Sequence, residues 1–341
     1  MQPGEDDIAV ASLVEGLDFD SLLKALAARR GYEPAFRDPP GRRDWSGFPP
    51  SAFGFAELDA RADRLASLLL LPRPQPGACV VILAPLGPEA LIAMLASLRA
   101  GLTPLLAPVH AGEAELLRLI EQSGAVLAVG VPRIGTLQPL LLLRDVAARA
   151  FGLRFVGGFG SEVPDGVAAL DTLLGGLRQP VPTPAERMPL SVVDGQSLTG
   201  PLDLPEREVL AAALEISRLL KPLASSRVVT TLVGSDLAAL ATGPGMALLT
   251  GVELLPLGLF MLEDLRACLE GGRTVHLVIP AAMEPALARS KLGGHKALGG
   301  LVVVSRAGED RSGLRLGRAD LAIVDVLVRS PTSIEITRRG A

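Results

Sequence analysis

From Phe55 to Leu71 apolar residues return at Phe55, Leu58, Ala62, Leu65, Leu68 and Leu69, with charged residues between them. That three-to-four spacing predicts an amphipathic helix, which Pro72, Pro74 and Pro76-Gly77 bring to an end. The pattern then changes. Cys79 to Leu83 is an unbroken apolar run bounded by Gly and Pro, as expected of a strand buried on both faces. Pro88 opens a helix that runs to Arg99 and stops at Gly101. Thr103 to Ala107 reads as a strand, Glu113 to Ser123 as a helix and Ala125 to Val129 as a third strand. Gly and Pro weaken the pattern from Gly130 to Pro189. It resumes with a helix from Pro205 to Leu220, a strand from Val228 to Val233 and a small-residue helix around Leu237 to Leu249. A strand at Glu253 to Pro256, a helix at Leu262 to Glu270, a strand at Thr274 to Ile279 and a helix at Pro285 to Leu292 follow. Leu301 to Ser305, Ala322 to Val328 and Ser333 to Thr337 are the late strands. Strands alternating with helices over short connections predict a doubly wound α/β fold with a mostly parallel sheet.

Composition fits that picture. Of the 341 residues 49% are apolar but only 3% aromatic, so Leu, Val, Ile and Ala must build the core. A net charge of −4 offers no basic footprint for nucleic acid. No apolar run is long enough to span a membrane, Leu237 to Val252 being broken by Gly243-Pro244-Gly245. The N-terminus MQPGEDDIAV is acidic and unlike a signal peptide, so a cytoplasmic location is expected. Cys79 and Cys268 are far apart in apolar contexts, which predicts two buried reduced thiols.

One stretch carries candidate chemistry. Ser191 to Pro205, SVVDGQSLTGPLDLP, is a short apolar run, a loop of Gly and hydroxyl residues, a proline and then a helix. Strand, Gly/Ser/Thr loop and helix in that order can hold a phosphate. No lysine or arginine lies between Met188 and Glu206, so an ordinary turn remains open.

The order of these segments resembles the adenylate-forming (AMP-binding) superfamily, which includes acyl-CoA synthetases. The resemblance rests on FAELDARADRLASLL, on PGACVVILAPLGPEALIAMLASLRAGLTPLLAP with its Gly87-Pro88 pair and Arg99-Ala100-Gly101 helix end, and on EAELLRLIEQSGAVLAV. RVVTTLVGSDLAALATGPGMALLTGVELL and TVHLVIPAAMEPAL extend it more faintly. It implies the family's large N-terminal α/β domain, divided into subdomains at 1–190 and 191–341, with the C-terminal lid domain absent. It also implies activation of a carboxylic acid by ATP and Mg²⁺, then transfer to a thiol. The family's phosphate loop has the form T-S-G-T-T-G-x-P-K. Placing Pro201 on its proline puts Leu202 at the lysine and Asp194 at the first threonine, leaving Gly195, Ser197, Thr199 and Gly200 as loop residues. A carboxylate there repels phosphate. IVDVLVRSPTSIE similarly resembles the strand bearing Y-G-x-T-E, with Leu327 and Val328 at the Tyr-Gly pair, Pro331 at the glutamate and Glu335 four residues out of place.

The expectation is therefore a degenerate ATP site with no catalytic residue and no metal site assigned. No cofactor is expected, ATP or AMP and Mg²⁺ entering only if activity is retained. The implied role is a pseudoenzyme-like accessory protein that binds a fatty acid (long chains included), an acyl-CoA or an acyl carrier protein. It would self-associate or pair with a synthetase. The alternative is an acid–thiol ligase completed by another chain. Ser235 and Asp236, with Thr242, Gly243 and Gly245, are the candidate acyl pocket. A plain N-cap by Ser235 or Asp236, and close helix–sheet packing by the small residues, are the competing structural readings. His110, His276 and His295 lack metal-ligand spacing. His276 reads as a core histidine. SKLGGHKALGG around His295 is either a solvated loop or an anion contact. GGFGSEVPDG, Gly157 to Gly166, lacks dinucleotide spacing.

Overall fold

The computed structural model describes residues 14–175, 181–195, 198–259, 262–309 and 321–339. Ser197 of the loop lies outside them. Among the described residues fifteen strands form two sheets. In chain order they are β1 (Pro34–Arg37), β2 (Ala52–Gly54), β3 (Cys79–Leu83), β4 (Thr103–Leu106), β5 (Leu127–Gly130), β6 (Phe155–Gly158), β7 (Ala168–Ala169) and β8 (Leu190–Val192). There follow β9 (Leu202–Leu204), β10 (Arg227–Thr230), β11 (Glu253–Pro256), β12 (Val275–Pro280), β13 (Leu298–Arg306), β14 (Ala322–Ser330) and β15 (Ser333–Arg338).

The first sheet runs β7-β6-β5-β3-β4-β8-β9 and the second β15-β14-β13-β12-β10-β11-β1-β2. Only β1–β2, β8–β9 and β14–β15 pair antiparallel. The sheets interleave along the chain. β1 and β2, from its beginning, complete the second sheet, while β8, across which the 190/191 division falls, belongs with β9 to the first.

Burial explains the layering. The predicted strand Cys79–Leu83 is buried at all five positions, and the helix Pro88–Arg99 at every position but Glu89. A chain segment so uniformly apolar must have protein on all sides. One core cluster joins Val80, Ile82 and Val129 of the first sheet to Val228, Val302 and Val324 of the second. The helices Phe55–Leu69, Pro88–Arg99 and Glu206–Leu220 lie in it. The outer face of the first sheet packs on helices Glu113–Ser123 and Pro139–Ala147. That of the second packs on Leu262–Glu270. Five layers result, α-β-α-β-α. Arg99 is buried in the central layer. It donates to Asp20 at 2.6 Å and to Asp59 at 2.5 Å, tying the helix Phe19–Arg30 to its two neighbours. Glu253, fully buried at the start of β11, is met by Arg37, Arg227 and Arg273.

Three expectations change. The helix around Leu237 to Leu249 is interrupted by a π turn, Ala241–Gly245, with Pro244 inside it. Proline has no N–H and its ring crowds the preceding turn, which widens the helical repeat there. The expected helix Pro285 to Leu292 is a short helix, Glu284–Arg289, between two 3₁₀ turns. Finally, β9 lies inside the Ser191–Pro205 stretch, between its loop and the following helix, making that stretch a hairpin rather than a direct strand–loop–helix.

Candidate functional site

A cleft of about 360 Å³ opens where the C-terminal ends of strands from both sheets meet. Open α/β sheets place ligands at this end, because the loops leaving the strands diverge there. Ala84 and Leu86 follow β3; Leu106 to His110 end and follow β4. Val193 and Gly195 follow β8, and Thr231 to Asp236 follow β10. Pro280, Val304, Arg306 and Glu309 close the side formed by β12 and β13, and Ala239 and Leu240 form the helical wall.

The polar groups of this cleft are already engaged. Asp236 caps its helix by accepting from the Ala239 N–H at 2.9 Å. Its other oxygen accepts from Arg306 Nη2 at 2.6 Å. Ser235 Oγ donates to the Leu106 carbonyl at 2.9 Å, joining the two sheets across the cleft. Thr231 Oγ1 donates to the Val278 carbonyl. His110, exposed at the rim, shares a 2.9 Å hydrogen bond with the Gly195 carbonyl and so holds the β8–β9 loop against the β4 loop.

Of the residues singled out from sequence, Gly195, Ser235 and Asp236 come together in this cleft. Asp194 and Thr199 lie in the loop and are engaged in interactions of their own. The Leu198 N–H donates to the Asp194 carbonyl, while Leu198 itself takes a φ of 48° and its carbonyl accepts from Arg118. Gly200 backs onto Gln122. Leu202 is 40% exposed in β9, paired with Val192. Thr242, Gly243 and Gly245 are buried and do not line the cleft. Thr242 donates to the Ala238 carbonyl. Gly243 stands behind Leu86, and Gly245 packs on Val209 and Ala213. Leu327 and Val328 are buried strand residues. The Pro331 carbonyl receives the Leu237 N–H, and Glu335 is exposed and paired with Arg329.

His276 is buried with no partner for Nδ1 among the described residues, and desolvation pulls its pKa down to about 4, as befits a core residue. His295 accepts from the Ala297 N–H within its own loop. Gly160, in the glycine-rich loop, donates to Asp171. Both cysteines are buried and free. No group of three or more metal-ligating side chains occurs among the described residues. Nor is any helix among them long and apolar enough to cross a membrane. Arg306, His110 and Glu309 were not legible as site residues. The one available signal was a charged residue closing the apolar run of β13.

Residues 26–151 match the sequence model of the AMP-binding enzyme family. No curated protein matches the chain in sequence. Among solved structures the fold is similar to apo MbtA from Mycobacterium smegmatis, at 21% identity and a TM-score of 0.74 over 99% of this chain and 62% of that one. It is also similar to a benzoate CoA ligase from Burkholderia xenovorans LB400, at 16% identity and a TM-score of 0.73 over 95% of this chain and 64% of that one. The N-terminal domain of FACL13 from Mycobacterium tuberculosis aligns at 14% identity and a TM-score of 0.72, covering 90% of this chain and 75% of that one. The chain thus spans less than two thirds of the first two, and the expected α/β fold is that of the N-terminal domain of adenylate-forming enzymes.

Proposed function

We propose that this chain is an acyl-CoA synthetase-like member of the AMP-binding family whose cleft binds a compact organic acid, without gripping ATP by itself. The observation that carries this reading is the state of the cleft and its loop. The walls are mostly aliphatic, Ser235 and Asp236 are committed to protein partners, Arg306 is the one arginine or lysine among the described lining residues, and the stretch from Pro189 to Pro205 contains no lysine or arginine. A triphosphate needs cations and donors placed in advance. An acid with an apolar body needs mainly apolar walls and one anchoring group. On this reading the protein is an accessory that presents an acid, an acyl carrier or an acyl-CoA to a partner.

Calorimetry with Mg²⁺-ATP and, separately, with benzoate tests it. Heat from the acid with none from ATP is expected. Micromolar ATP binding, or acid-dependent exchange of pyrophosphate into ATP, overturns the accessory role. Those results would favour the second reading, an acid–thiol ligase completed by another chain. That reading draws support from the place of the loop, whose Gly195 stands at the cleft.

A further inference from the structure

We propose that Arg306 is the specificity-determining residue of the cleft, holding the carboxylate of an acidic ligand on guanidinium donors that Asp236 leaves open. The inference rests on the reading of the cleft as an acid site and names the residue that selects the acid. Arg306 ends β13, and its backbone N–H donates to the Glu309 carboxylate at 2.9 Å, which fixes the main chain at the rim. Its side chain crosses to Asp236, 70 residues away in sequence. The two partners are unequal in exposure, 34% for Arg306 and 9% for Asp236. The acid is buried under its helix while the guanidinium faces the opening.

Among the described residues only Nη2 of that side chain is engaged, so Nε and Nη1 remain to donate. An arginine can serve carboxylates on two edges of its planar fork, which a lysine cannot do. Among the described residues no other arginine and no lysine lines the cleft. Among the described lining residues two carboxylates, Asp236 and Glu309, stand against the one guanidinium of Arg306. A single carboxylate meets the guanidinium directly, whereas a polyanion must also approach both acids. Asp236 has two opposed effects: it holds Arg306 in place and it repels the ligand's charge. Asparagine keeps the cap on its one amide oxygen but turns an NH2 donor toward the guanidinium, so Asp236→Asn frees Arg306 of its competing carboxylate while leaving the helix capped.

The test titrates benzoate and its neutral isostere benzamide into the wild-type protein, Arg306→Gln, Arg306→Lys and Asp236→Asn, each checked for an unchanged thermal transition. Benzoate binding is expected to weaken about 10-fold or more in Arg306→Gln, with benzamide unaffected. Arg306→Lys should restore part of the loss, and Asp236→Asn should bind benzoate several-fold more tightly than wild type. Equal binding of benzoate by wild type and Arg306→Gln overturns this inference alone, as does equal preference for the two compounds in the wild type. Binding of neither compound to the wild type overturns the acid-site reading and this inference with it.

Discussion

Glu206 shows how much a single side chain can carry. Its carboxylate accepts the Phe19 N–H at 2.8 Å at the junction of the helices Phe19–Arg30 and Glu206–Leu220. Burial, with Asp18 and Asp20 nearby, outweighs that hydrogen bond and Arg187 and raises its pKa to about 7. The folded protein therefore holds this proton more tightly than the unfolded chain does. Its stability should fall as pH rises from about 4.5 to about 7 and be flat beyond, as far as this group decides. Glu206→Gln keeps an acceptor and removes the charge. Urea melts should find it about 1–3 kcal/mol more stable than wild type at pH 8 and little different at pH 4.5. Desolvation likewise raises both cysteine thiols to about 11. Native protein at pH 8 should resist iodoacetamide at Cys79 and Cys268, and mass spectrometry should find both alkylated in urea. Asp236 was legible as a cap from its place before an apolar run. Arg306 was not, since its partner lies in a distant segment that only the fold brings near.

Helices and strands were legible in proportion to how fully each is buried. Cys79–Leu83, Pro88–Arg99 and Glu113–Ser123 end where the sequence predicts, because burial on all sides or a clean stripe leaves one reading, and Gly101 at φ 69° supplies a stop. The helix Phe19–Arg30 escaped, although Asp18 caps it, because only Phe19 and Leu23 are buried. β1, β2 and β9 escaped because they are short and only partly buried, unlike the equally short but wholly buried β11. The run AALATGPGMALLTG invited two readings, channel wall or close packing. Its glycines pack: a Cβ on Gly245 would lie 3.0 Å from the Leu240 carbonyl and 3.2 Å from Ala213. Gly245→Val should cost about 2 kcal/mol or more in a denaturant melt, by forcing the helix Glu206–Leu220 away. Arg99→Ala should cost about 1.5–3 kcal/mol in the same measurement, since it removes a buried guanidinium that joins three helices, although Asp20 keeps Lys24 and both acids are partly exposed.

For the whole molecule, five layers and a cleft between two sheets follow from strands too apolar to face water. The place of the cleft follows from where those strands end. Sequence order suggested a division at 190/191, but pairing between strands is settled by neighbours in space. β1 finds its parallel neighbour only in β11, with Phe36 opposite Leu254. Arg37 and Glu253, which fasten the same junction, are 216 residues apart. A ribosome adding about 5–20 residues per second needs roughly 10–40 s to deliver that neighbour. Throughout that interval β1 and β2, whose Phe36 and Phe53 stack on each other in the folded protein, lack the strand that completes their edge of the sheet. Biosynthesis of this protein therefore has a built-in exposure time, and dependence on a chaperone should grow as translation is slowed.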